Sequence, residues 1–286
     1  MAEGPESGPT ALRILLGAEL RRFREAAGLT PQEAGDAIRS SVSKISRMEH
    51  GRHRFKEIDV ADLLTLYGVT DEARRAQVLD LTRQANQPGW WQRYHDVLPE
   101  WFQAYVGLEE AAEQIRTYEA HLVPGLLQTA EYATAMIAVG RFSADEVQRR
   151  VQLRRGRQHR LQEGHLKLWA MIDEAALRRQ IGGVAVMRAQ LDSLLASFEL
   201  PNVNIQVTPF ASGGLASQGG SFSILRFGGP ELSDVVYVEQ LTGALYLDKR
   251  SDVDRYVEAA DRVVVSSATP EESLEIIRAI RDELTK

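Results

Sequence analysis

"GLTPQEAGDAIRSSVSKISRMEHGR", residues 28–52, spells out two short helices and the turn between them. Gly28 tolerates the left-handed backbone that commonly ends a helix, so it closes the one before. Thr30 offers a capping hydroxyl, Pro31 suits the first helical position and Glu33 completes a capping box. Ala34, Ala37 and Ile38 then fall on one side. The pattern breaks at Arg39 and Ser40. Ser41 caps a further helix in which Val42, Ile45 and Met48 or Glu49 step inward, and Gly51 closes it.

Working outward, Leu12, Leu16, Leu20, Phe23 and Ala27 recur at three- and four-residue steps and predict a helix over residues 11–27. Downstream, Val60, Leu63, Leu64 and Tyr67 line one side of a helix over 58–67, and another covers 71–87. The region needs five helices and no strand. The opening "MAEGPESGPTA" has neither a basic n-region nor an apolar h-region, so residues 1–10 read as a tail rather than a secretion signal.

The chain has 286 residues, which suggests more than one domain, and at 44% hydrophobic it can bury a core. It has no cysteine, which excludes disulfides, thiol catalysis and cysteine-ligated zinc. No apolar run approaches the roughly 20 residues of a membrane span. A soluble cytoplasmic protein is expected. The formal net charge of -6 argues against a polyanionic partner. Its distribution does not: between Arg39 and Lys56 stand six bases against the single acid Glu49. Phosphate contacts are made by one face of one domain, so the local balance decides.

A helix that reads base edges must turn hydroxyls and bases outward from its first turns, keep apolar anchors beneath, and be followed by bases that hold phosphates. Ser41, Val42, Ser43, Lys44, Ser46 and Arg47 meet the first demand, so that Val42 is read both as an inward and as an outward residue. Ile38, Ile45 and Met48 meet the second, and Arg52, His53 and Arg54 the third.

"NQPGWW" breaks the helical pattern and marks a boundary. Beyond it, "EWFQAYVGLEEAAEQIRTYEA" reads as one helix, "VPGLLQTAEYATAMI" as a turn leading into another, and "SADEVQRRVQLRRGRQHRLQ" as an amphipathic helix capped by Ser143 with Glu146. "KLWAMID", "VNIQVTPF", "SFSILRF", "DVVYVEQ" and "GALYLD" read as strands, with a helix over "GVAVMRAQLDSLLASF" and two closing helices. Strands so close in sequence favour a small antiparallel sheet. The fold expected is a mostly α N-terminal helix-turn-helix domain followed by an α+β domain. Its parts are a tail (1–10), the helix-turn-helix domain (11–69), a helical linker (70–88) and an α+β regulatory and dimerisation domain (89–286).

The residues "LRRFREAAGLTPQEAGDAIRSSVSKISRMEHGR" resemble the lambda-repressor-like (Xre-type) helix-turn-helix family. The resemblance implies a sequence-specific transcriptional regulator, active as a homodimer on double-stranded DNA. It also implies a phosphate contact at Gln32, whose own pattern marks only a surface residue. At the turn, where that family usually has glycine, this chain has Arg39. "GWWQRYHDVLPEWFQAYVGLEEAA", "YEAHLVPGLLQTAEYA", "GGSFSILRF" and "DVVYVEQLTG" are similar to the uncharacterised C-terminal domain of actinobacterial Xre-type regulators. Some of those are described as antitoxin-like, and they are often encoded beside a short protein. That implies a C-terminal domain sensing a ligand or a small partner protein.

Other motifs weigh less. His165, Lys167 and Asp173 approach an H-x-K phosphodiesterase pattern, but the gap to the aspartate is one residue too long and no second copy exists. No enzyme activity, cofactor or metal is expected, since the six histidines show no ligand-pair spacing. "ASGGLASQGG" lacks the Lys-Ser/Thr of a phosphate loop and reads as a loop that could serve as a lid. Trp90, Trp91, Tyr94 and Trp101 are either core fixing the second domain or an aromatic ligand or partner site. Glu49 reads as a structural salt-bridge partner of Arg22 or Arg24.

Overall fold

The computed structural model describes residues 9–213, 220–228 and 234–284. Those within Met1–Gln92, Gln103–Ala111 and Phe227–Leu232 form one compact unit. Those within Arg93–Phe102, Ala112–Arg226 and Ser233–Lys286 form a second. Among them no helix is long and apolar enough to cross a membrane.

The first unit grows from the apolar stripe of α1 (Pro9–Ala26), which begins two residues before the expected start. Leu16 and Leu20 are fully buried. Around them pack Ala34 of α2 (Pro31–Ala37), Ile45 and Met48 of α3 (Val42–Glu49), and Val60, Leu63 and Leu64 of α4 (Glu57–Leu66). Helix α5 (Glu72–Ala85) lies in the stretch read as a linker, yet it contributes Val78 and Ala85 to the same core. Two caps stand where the sequence puts them: Thr30 and Glu33 form a reciprocal box, and the Ser41 side chain accepts from the first turn of α3. Asp71, expected inside its helix, caps α5 instead.

The second unit holds a six-stranded sheet in the order β3-β2-β1-β4-β5-β6. The strands are β1 (Gln114–Glu119), β2 (Lys167–Asp173), β3 (Val203–Thr208), β4 (Phe222–Arg226), β5 (Val235–Gln240) and β6 (Gly243–Leu247). The expected antiparallel sheet is corrected: β1 runs parallel to β2, and β2 to β3, while β1, β4, β5 and β6 pair antiparallel. Parallel neighbours need helical crossovers. Helices α7 (Ala130–Ile137) and α8 (Ala144–Gln162) lie between β1 and β2, and α9 (Glu174–Arg178) and α10 (Val184–Ser197) between β2 and β3. Sequence proximity spoke only for the β4–β6 meander.

Strand β1 is a second correction. The run read as one helix is helix α6 (Glu100–Ala111) followed by a strand. Four consecutive buried residues, Ile115 to Tyr118, leave β1 with no exposed face, so it carries no alternation to read. On one sheet face Tyr118, Met171, Phe222, Ile224, Val236 and Val238 pack against Val253, Ala260 and Val263 of α11 (Arg250–Ser266). Helix α12 (Pro270–Glu283) repeats the capping box with Thr269 and Glu272. It meets β3 where Ser273 Oγ accepts from the Val207 amide at 2.8 Å.

Candidate nucleic-acid interface

Helix α3 is held from below and left open above. The turn before it reverses on Arg39, whose φ of 51° makes it the only non-glycine residue of positive φ among those described. The turn therefore keeps the left-handed geometry with an arginine in place, and the Ser40 amide donates back to the Gly35 carbonyl at 2.8 Å. A Cβ on Gly35 would lie 2.7 Å from the Ser40 carbonyl oxygen, so glycine is what lets the chain turn so tightly. Beneath α3, Gly17 lets α1 come into contact: a Cβ there would sit 2.4 Å from the Met48 carbonyl oxygen.

A buried ion pair locks the same two helices. Arg24 Nε donates to Glu49 Oε1 at 2.5 Å and Nη2 to Oε2 at 2.9 Å, while Nη1 donates to the Leu29 carbonyl at 2.8 Å. Of the two partners expected for Glu49, Arg24 is the one engaged. The fork satisfies both carboxylate oxygens, which is what makes a buried pair tolerable. The hydrogen bond to Glu49 raises the Arg24 guanidinium above its ordinary range. Burial, then the Glu49 charge, pushes the nearby Tyr67 phenol up.

The upper face carries Val42, Ser43, Ser46 and Arg47, all exposed. Val42 points outward at 41% exposure, which corrects its reading as an inward residue. Ser41 is exposed, with its hydroxyl accepting the Lys44 amide at 3.2 Å. Lys44 is half-buried, and its Nζ lies 2.7 Å from Asp59 Oδ2 in the first turn of α4. The Arg47 guanidinium makes no hydrogen bond or ion pair among the described residues. Gln32 is exposed at the start of α2 and donates to Asp36 at 2.8 Å.

The segment after α3 brings further bases to this side. Burial lowers the His53 pKa first, and the charges of Lys44, Arg47 and Lys56 lower it further against the opposing pull of Asp59. The imidazole thus senses a local excess of positive charge. Arg52 and Arg54 are exposed, and the Arg54 charge adds to burial in lowering the Arg13 guanidinium. Sequence reading missed Asp59 and Arg13. Asp59 stands in the first turn of its helix, where the dipole favours an acid, but its pairing with Lys44 spans fifteen residues and has no local sign.

The remaining aromatic candidates fall in two units. Trp90 and Trp91 stand edge to face at 6.0 Å in the first unit, where Trp90 Nε1 donates to Glu110 at 3.1 Å. Tyr94 and Trp101 belong to the second, with Tyr94 buried under the Arg93 guanidinium and Trp101 edge-on to Phe102. His165 is exposed beside Glu163, and Lys167 and Asp173 occupy opposite ends of β2. There Asp173 caps α9 and accepts from the Tyr118 hydroxyl. These three do not converge. Most of "ASGGLASQGG", residues 214–219, lies outside the described residues.

A family model described as a helix-turn-helix domain matches residues 15–77. Another, described as a domain of unknown function (DUF5753), matches residues 102–279. No curated protein and no solved structure matches the chain.

Proposed function

The chain belongs to the DUF5753 family and carries a helix-turn-helix domain ahead of it, and from this premise we propose that it is a sequence-specific transcriptional regulator of the Xre type. Its C-terminal domain receives a ligand or a small partner protein. The observation that carries this reading is the division of α3: an underside clamped by Ile45, Met48 and the Arg24–Glu49 pair, and an upper face of Ser43, Ser46 and an unengaged Arg47. A helix so anchored presents its first turns at a constant angle to a major groove. Val42 supplies an apolar contact of the kind that suits a thymine methyl. Arg52, His53 and Arg54 hold phosphates, assisted at Gln32 by the N-terminus of α2. Lys44 joins once it lets go of Asp59. A homodimer sets two such helices about 34 Å apart on a pseudo-palindromic site.

The test is an electrophoretic shift of the DNA upstream of the protein's own gene against random duplex, repeated over a salt series. Affinity should fall steeply with salt as phosphate contacts release counterions. Arg47→Ala should cost about 1–3 kcal/mol of discrimination, or lower the salt slope by about one if Arg47 touches a phosphate. Equal affinity for upstream and random DNA would sink the reading.

A further inference from the structure

Helix α8 carries two open grooves, one on each flank. On one side a cavity of about 740 Å³ is lined by Arg93, Arg149, Arg155, His159 and the amides of Gln152 and Gln162, with buried Tyr94 in its wall. On the other, between α7 and α8, a cavity of about 700 Å³ is lined by the apolar strip Ala138, Phe142, Val147 and Val151, with Thr134 and Gln148 beside it. Gln152 and Arg155 line both, so they form the ridge of one continuous surface. The bases differ in how far they are committed. Arg149 is paired with Asp96 and donates to the Arg93 carbonyl, and His159 faces Glu163 at 3.1 Å. Arg155 and Gln152 are exposed, and their side chains make no hydrogen bond or ion pair among the described residues. Phe142 is 40% exposed under the Arg150 guanidinium, and Val139, just past α7, is 87% exposed.

We propose that this two-sided face of α8 docks an acidic amphipathic helix of a partner protein, its apolar stripe in the Phe142–Val151 groove and its carboxylates on Arg155 and Arg93. The inference rests on the reading of the C-terminal unit as the part that receives a partner, and it names the chemistry of that partner. The mixed lining selects the occupant. A nucleic-acid backbone would use the arginines and leave the apolar groove empty. A second copy docked about a twofold axis through the ridge would set Arg155 against Arg155, and such like-charge contacts across an interface are unfavourable. A helix with one apolar stripe and acidic flanks satisfies both grooves, and the 19-residue α8 offers a ridge of about 28 Å for it to follow.

The probe is a fluorescein-labelled synthetic peptide of about 18 residues, with leucines at helical i, i+3, i+4 and i+7 spacing and glutamates flanking them. Its controls are a permuted peptide of the same composition without an apolar stripe, a version with lysine for glutamate, and a short random duplex DNA. Fluorescence anisotropy is read with the full-length protein. The acidic helix should bind at least roughly tenfold tighter than its permuted form, and Arg155→Glu should weaken it by a similar factor while improving the lysine peptide. Val151→Asp should weaken both helices, and the two variants should melt like the parent. No binding of the acidic helix, equal binding of the permuted peptide, indifference to Arg155→Glu, or displacement of the peptide by the duplex would overturn the proposal. So would a dimer in sedimentation that Arg155→Glu dissociates. Binding of upstream DNA is measured on the same preparations. Peptide binding without DNA binding removes the regulator reading and leaves the docking site, and the reverse removes only the docking site.

Discussion

Arg24 and Glu49 contribute more to the aim of α3 than any residue on its outer face. Both side chains are under a tenth exposed, and the pair is bidentate. Removing one partner strands a buried charge, so Arg24→Met should destabilise the N-terminal unit by about 3–5 kcal/mol. Adding Glu49→Leu should recover most of that loss in urea denaturation, because an apolar pair leaves nothing unsatisfied. A double variant no more stable than the single one would refute the assignment. In the second unit Glu119 shows the opposite economy. Burial pushes its carboxyl up to about 7, with Glu239 adding to the rise and Ser221 and Arg154 opposing it. A carboxyl raised on folding binds more protons folded than unfolded between pH about 4.5 and about 7. Stability should therefore fall as pH rises through that window and level off above it. Glu119→Gln should flatten that part of a melting-temperature profile, and an unchanged slope would assign it to another group.

At the scale of elements, the pairing of α1 with α3 depends on a missing side chain. Gly17 sits where a methyl group would meet the Met48 and Glu49 carbonyls, both backbone and unable to swing aside. Gly17→Ala should push the helices apart and cost about 1–3 kcal/mol, the range of overpacking. It should also weaken operator binding while leaving every outward residue in place. Normal affinity in a variant of reduced stability would show that the spacing of α1 and α3 does not govern recognition. The helices themselves were legible because their signals are local. Thr30, Pro31 and Glu33 act within one turn, as do Ser143 with Glu146 and Thr269 with Glu272. Strand β1 was not legible. "EEAAEQIRTYEA" contains good helix formers and no breaker, and the strand is specified by β2 and β4, which lie about 50 and 105 residues further along. Intrinsic propensity is a weak prior against two full ladders of hydrogen bonds.

For the whole molecule, the two compact units do not follow one another along the chain. The first takes back residues 103–111 after the chain has left it. Within it, a Cβ on Gly107 would lie 2.4 Å from Thr10 Oγ1 and 3.0 Å from the Trp91 ring, and Trp90 bonds to Glu110. A fragment ending at Pro88 should therefore melt several degrees below one ending at Ala111, since a loss of about 1 kcal/mol moves the melting point of a small domain by 4–8 °C. Equal melting points would mean that 89–111 adds nothing to the first unit. The sequence by itself determined the five N-terminal helices, the caps of α2 and α3, the inward stripe of α1, the basic segment after α3 and most of the strands. Each rests on contacts within about four residues or on alternation along a strand. Tertiary structure decided the rest: that the sheet is mixed, that α5 joins the core, and that Lys44 faces Asp59 while the Arg47 guanidinium meets no acid among the described residues. It also decided that α8 offers one flank with an apolar strip and one basic flank. Those outcomes depend on groups far apart in the chain. Burial and charge bring them together only once the helices and strands have packed.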